Sequence, residues 1–104
     1  MIVVDGGSSD RTLEIIRSFA SPDIQIFSEP DDGIYDAMNK GLALYGGDAV
    51  GFLNSDDTFH DPHVLDNIAT GLANADAVYG DVLFVSDHTH KKAVRLWKAG
   101  PYRR

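Results

Sequence analysis

Short β-branched runs alternate along this chain with stretches whose apolar residues recur at helical spacing. "MIVVD" precedes "TLEIIRSFA", in which Leu13, Ile16 and Phe19 or Ala20 share a helical face. "IQIF" precedes Ile34, Met38, Leu42 and Tyr45, and "DAVGFLNSDD" precedes Val64 or Leu65, Ile68 and Leu72. Parallel strands need a crossover connection, usually a helix, so this order predicts βαβ units around a mostly parallel sheet. The expected fold class is α/β, with helices flanking the sheet in three layers. Further strands are expected at "DAVYG", "VLFV" and "AVRLW".

The punctuation agrees with that order. Glycines in "GGSSDRT" permit a sharp turn after the first strand, and Ser9 or Asp10 suits a helix cap. "SPD" ends the first helical pattern, "SEPDDG" reads as a loop, and Gly46 with Gly47 stops the second helix. Asp61 before Pro62 is a cap with proline at the first helical position of the third. No internal repeat, low-complexity tract or linker divides the 104 residues, so one domain is expected.

Ligands of open α/β sheets bind outside the carboxyl ends of the strands. Asp5 ends the first expected strand, and Asn54, Ser55, Asp56 and Asp57 end the third. If these strands run parallel, both acidic tips open onto the same sheet edge. Adjacent carboxylates repel unless hydrogen bonds, helix amino ends or a cation compensate. A magnesium or manganese ion takes one or two protein carboxylates and completes its shell with water and phosphate oxygens, which points to a nucleotide diphosphate. The same residues also suit a turn that, with Asp61, caps the helix at Pro62, and spacing leaves both readings open.

Composition narrows the partners. Residues 1–90 hold 3 Lys and Arg against 16 Asp and Glu, a balance of −13, while residues 91–104 carry +6. An acidic body argues against nucleic acid, whose affinity comes from counterion release by Lys and Arg. The absence of cysteine removes thiolate chemistry and cysteine zinc sites. The apolar runs are too short to span a bilayer and no leader opens the chain, so the expected location is cytoplasmic or at the inner face of the membrane. An EF-hand is excluded because Phe59 and Leu65 stand where its glycine and glutamate belong. A haloacid dehalogenase-type strand end is excluded because Asn54 cannot act as the aspartate nucleophile. "GGSSDRT" fits neither the phosphate loop nor the dinucleotide fingerprint.

"VVDGGSSDRT", "EPDDGIYDAMNKG" and "GDAVGFLNSDD", in this order and spacing, resemble the nucleotide-sugar-binding half of family 2 glycosyltransferases, over about residues 1–85. The resemblance implies a Rossmann-like GT-A fold, incomplete relative to the full one, in which residues 1–104 form a single partial domain ending in a basic segment, 91–104. It implies that Asp5 accepts hydrogen bonds from the nucleotide base and that Gly6, Gly7 and Ser8 shape the turn beneath it. Asn54 to Asp56 stands at the family's Asp-any-Asp motif. Asp56 and Asp57 would then hold manganese or magnesium, and Asn54, Ser55 and Lys40 would lie against the nucleotide. The implied partners are a nucleotide-diphosphate sugar donor and a carbohydrate or lipid-linked acceptor, in polysaccharide or glycolipid synthesis.

The chain departs from the family pattern at identifiable positions. Asn54 replaces the first motif aspartate and offers a carbonyl oxygen without charge. Met38 stands where many members carry an arginine before "N-x-G", with Lys40 nearby on another helical face. Family members begin with a further strand and helix and continue into an acceptor half carrying the general base, so a truncated domain is expected, with unpaired strand edges that favour a homo-oligomer. The competing readings are a nucleotide-binding or structural remnant and a nucleotidyltransferase-like fold. Of the remaining residues, His60 with His63 and His88 with His90 are metal-ligand candidates lacking a third ligand, and Asp81 suits a turn better than a sugar contact. Trp97 and Tyr102 suit packing, and the basic tail a solvated charge run.

Overall fold

A computed structural model describes residues 1–86, 89 and 92–102. The chain divides into two compact units, Met1–Asn54 and Ser55–Arg104. The first contains β1 (Ile2–Asp5), α1 (Thr12–Ser18), β2 (Gln25–Ser28) and α2 (Ile34–Leu44); the second contains α3 (Val64–Leu72), β3 (Val82–Val85) and β4 (Ala93–Trp97).

The first unit is a βαβα arrangement. β1 and β2 run parallel, with Ile2 opposite Gln25 and Asp5 opposite Ser28. One further bond, Glu29 N–H to the Asp5 carbonyl at 3.1 Å, carries the ladder past the end of both strands. The α/β class and the parallel pairing expected from the sequence are therefore present, in a sheet of two strands.

α2 packs on β1, but not through the face the periodicity predicts. Ala37, Met38, Lys40 and Gly41 are half-buried, whereas Ile34, Leu42 and Tyr45 are exposed. Ala37 and Gly41 lie one turn apart, and a Cβ on Gly41 would sit 3.7 Å from Val4 Cγ2. Small side chains let the helix backbone approach the strand more closely than the large ones would, and that outweighs the apolar stripe.

The expected third strand does not form: residues 49–53 belong to no strand, and Val50, Phe52 and Leu53 remain exposed. An apolar run supplies side chains for a sheet, but a strand exists only where a neighbour completes its hydrogen-bond ladder. Residues 49–53 pair with neither β1 nor β2.

In the second unit, Val64, Ile68 and Leu72 form the half-buried stripe of α3, while Leu65 is exposed. The helix begins at Val64 instead of Pro62 because Asp61 builds a turn ahead of it, its Oδ1 accepting from His63 N–H at 2.7 Å. "DAVYG" forms no strand. β3 and β4 form an antiparallel hairpin with an irregularity at Phe84 and Val85. Its open end is clipped by Ala99 N–H donating to Asp81 Oδ1 at 2.8 Å and by Tyr79 Oη–H donating to the Gly100 carbonyl at 2.8 Å.

Candidate functional site

The tip of β1 is the most highly organised part of the first unit. Asp5 is 7% exposed and is the one residue in the buried class among those described. Its Oδ2 accepts from Gly7 N–H at 3.1 Å, Ser8 N–H at 3.0 Å and Ser28 Oγ–H at 2.6 Å, and its Oδ1 accepts from Ser8 Oγ–H. Three donors thus share Oδ2 and one reaches Oδ1, which leaves one acceptor position on Oδ1. The hydroxyls of Ser28 and Ser8, then the Ser8 amide, hold the Asp5 carboxyl down at about 2 from its ordinary 3.8, against the opposing effect of burial.

The turn depends on glycine at two positions. Gly7 has φ +89°, in the left-handed region, and a Cβ there would lie 3.5 Å from Pro30 N. A Cβ on Gly6 would lie 2.6 Å from Asp31 Oδ2, inside contact distance. Gly6, Gly7, Ser8, Ser9 and Asp10 line an open depression of ≈ 400 Å³ at the strand tip. Asp10 closes the turn onto α1 by accepting from Thr12 N–H at 2.9 Å.

Opposite this turn runs the loop from β2 to α2. Asp31 Oδ1 accepts from Gly33 N–H at 2.9 Å, and Asp36 reaches back from the first turn of α2 to Asp32 N–H at 3.1 Å. Lys40 spans the loop from behind, donating to the Pro30 carbonyl at 2.9 Å and pairing with Glu29 and Asp36, each at 3.1 Å. The ion pair with Asp36 is the main cause of a raised Lys40 ammonium pKa.

The sequence-expected residues thus fall into separate groups. Asp5, Gly6, Gly7 and Ser8 form one turn, with Lys40 behind the neighbouring loop. Asn54 ends the first unit and Ser55, Asp56 and Asp57 open the second. Asp56 and Asp57 are exposed, and their carboxylates take no hydrogen bond or ion pair from other described residues. Of the three acidic residues ahead of α3, Asp61 makes the turn bond, so helix capping does not occupy Asp56 or Asp57. Their free oxygens are the hard donors that magnesium or manganese takes, one or two per ion. No group of three His, Cys, Asp or Glu side chains converges among the described residues, His60 and His63 included. His88 and His90 lie outside those residues, as do Lys91, Arg103 and Arg104 of the basic tail.

Ser28 and the Glu29–Asp36–Lys40 cluster escaped the sequence reading. The signal for Ser28 was positional: it follows the apolar run "IQIF" as Asp5 follows "IVV", which places the two opposite one another in a parallel pair. For Lys40 the signal was its i, i+4 spacing from Asp36.

The family described as "Glycosyl transferase family 2" matches residues 1–104. The chain belongs to this family. A "PGL/p-HBAD biosynthesis glycosyltransferase" of Mycobacterium bovis is 38% identical over 92 residues, covering 83% of this chain and 36% of the relative. An "Uncharacterized glycosyltransferase" of Mycobacterium tuberculosis is 44% identical over 64 residues, covering 62% and 24%. One of Haemophilus influenzae is 37% identical over 60 residues, covering 55% and 24%. The chain therefore spans about a third or less of the curated relatives it matches. No solved structure matches. Membership of glycosyl transferase family 2 carries the Rossmann-like GT-A fold, of which the chain shows a parallel pair and three helices. No helix among the described residues is long and apolar enough to cross a membrane.

Proposed function

We propose that this chain is the donor-binding part of a metal-dependent glycosyltransferase. It holds a nucleotide-diphosphate sugar for transfer to a carbohydrate or lipid-linked acceptor in polysaccharide or glycolipid synthesis, in the cytoplasm or at the inner face of the membrane. Residues 1–104 act as one partial domain, with donor contacts drawn from about 1–85. The name of the mycobacterial relative, a biosynthesis glycosyltransferase, supports a synthetic role.

The observation that carries the reading is the Asp5 turn. An ionised carboxylate offers only acceptors, which suits the N–H edge of a base, and Gly6, Gly7, Ser8, Ser9 and Asp10 line an open depression beside it. The carboxylate keeps one acceptor position on Oδ1 for a base N–H, while the amides of Gly7 and Ser8, fixed by the turn, stay on Oδ2. Asp56 and Asp57, with the Asn54 carbonyl oxygen, would hold manganese or magnesium, which when bound offsets the charge that develops on the departing diphosphate. Ser55 completes the nucleotide-facing set. Activation of an acceptor hydroxyl requires a base from the acceptor half, so the chain by itself is expected to bind donor with little turnover.

Calorimetric titration with uridine diphosphate, in manganese and then in chelator, tests this. Binding in manganese that weakens at least tenfold in chelator, and that loses its metal dependence in Asp56→Ala, is expected at about 1.4 kcal/mol per tenfold. A nucleotide-binding remnant would bind equally with and without metal and ignore Asp56→Ala; binding in neither condition would overturn the reading for this chain.

A further inference from the structure

Lys40 lies behind the loop that faces the strand tip of the first unit, and the family resemblance places it against the nucleotide. Its surroundings assign it another task. The ammonium is 3.1 Å from Glu29 and 3.1 Å from Asp36, and donates to the Pro30 carbonyl at 2.9 Å. Two carboxylates against one ammonium leave the spot negative, so a diphosphate brought to Lys40 would be opposed by both. All three donor positions of the ammonium are in use.

These bonds fix the loop that walls the Asp5 turn. Pro30, held through its carbonyl, lies against Gly7, whose Cβ position is 3.5 Å from Pro30 N. The next residue, Asp31, fills the space beside Gly6. Asp36, paired with Lys40, also ties down the Asp32 amide. The contacts run from Lys40 to Pro30 and Asp31, and from these to Gly6 and Gly7, whose turn is closed by Asp5.

We infer that Lys40 is a positioning residue, which holds the 29–32 loop as a wall behind the Gly6–Gly7 turn and acts on nucleotide binding through that wall, without contacting a phosphate. The inference rests on the donor-site reading only where it concerns affinity; the loop-holding role stands independently of any ligand.

The two roles separate by comparing uridine with uridine diphosphate, each titrated against the wild-type chain, Lys40→Met and Lys40→Arg. As a positioning residue, Lys40→Met weakens both ligands by the same factor, about threefold to fivefold for a partly exposed ion-pair cluster, and Lys40→Arg restores most of the loss. As a phosphate ligand, it would weaken the diphosphate alone. Glu29→Gln gives opposite signs: it weakens both ligands if Lys40 is a latch, and strengthens the diphosphate if Lys40 is a phosphate contact held back by Glu29. Amide hydrogen exchange of the unliganded chain supplies the independent arm. Lys40→Met should speed exchange at Gly7, Ser8 and Gly33, whose amides bond to Asp5 and Asp31. Unchanged exchange at these amides would overturn the inference, whether or not nucleotide binds. Absence of nucleotide binding by the wild type, with exchange altered, would overturn the donor-site reading while leaving the latch in place.

Discussion

At the residue scale, Asp5 shows how a single carboxylate organises a turn. Two of its bonds come from backbone amides and two from serine hydroxyls. Their joint effect sets an acid dependence whose sign is fixed. The unfolded carboxyl titrates near 3.8 and the folded one at about 2, so the folded state binds fewer protons in that interval. The stabilisation is complete above 3.8 and is lost as pH falls from there through about 2. Because Ser28 is the largest cause of the depression, Ser28→Ala should raise the folded pKa and flatten this loss. Urea midpoints of both proteins, followed from about pH 5 down to pH 2, should converge toward the acid end. Curves that stay parallel throughout would mean that Ser28 does not hold the Asp5 charge.

At the element scale, the two helical glycines of α2 and α3 are chemically alike and sterically opposite. Gly41 has ordinary van der Waals space, its Cβ position being 3.7 Å from Val4 Cγ2, so Gly41→Ala should gain up to about 1 kcal/mol of helix propensity. A Cβ at Gly71 would stand 2.7 Å from Val78 Cγ2, and valine is stiff at χ1, so Gly71→Ala should lose about 1–3 kcal/mol to overpacking, less the propensity gain. Thermal unfolding should therefore move up for one and down for the other; a rise for both would show that Val78 yields. Neither contact was visible in the sequence. What was visible is what local periodicity and caps encode: β1, α1, β2, α2, α3, β3 and β4 each lie where an apolar rhythm or β-branched run predicts them. The run at 49–53 carries the same signal and forms no strand, because pairing is a property of a neighbour and not of the run itself. The Asp5 turn was legible as a glycine-bearing strand tip, whereas its serine from β2 required the register of the parallel pair.

At the scale of the whole molecule, apolar burial is slight. Among the described residues no apolar side chain is fully buried, and Phe52, Leu53, Val94, Leu96 and Trp97 are among those at least half exposed. Each sheet has two strands, so every strand presents one edge without a ladder partner among the described residues. Both features favour association: exposed apolar surface gains by burial, and an open edge offers a row of backbone donors and acceptors. β4 is the most available of these edges, since Ala93–Trp97 is exposed along its whole length. Light scattering coupled to size exclusion should accordingly give a mass above 11.3 kDa that rises with concentration. Val94→Lys places a charge on the strand that natural edges use to discourage pairing, and should return the mass toward that of the single chain. A single-chain mass at every concentration would remove the expectation of a homo-oligomer. Association that persists in Val94→Lys would instead place the contact on apolar faces away from β4, where substitution of the exposed Phe52 or Leu53 would locate it.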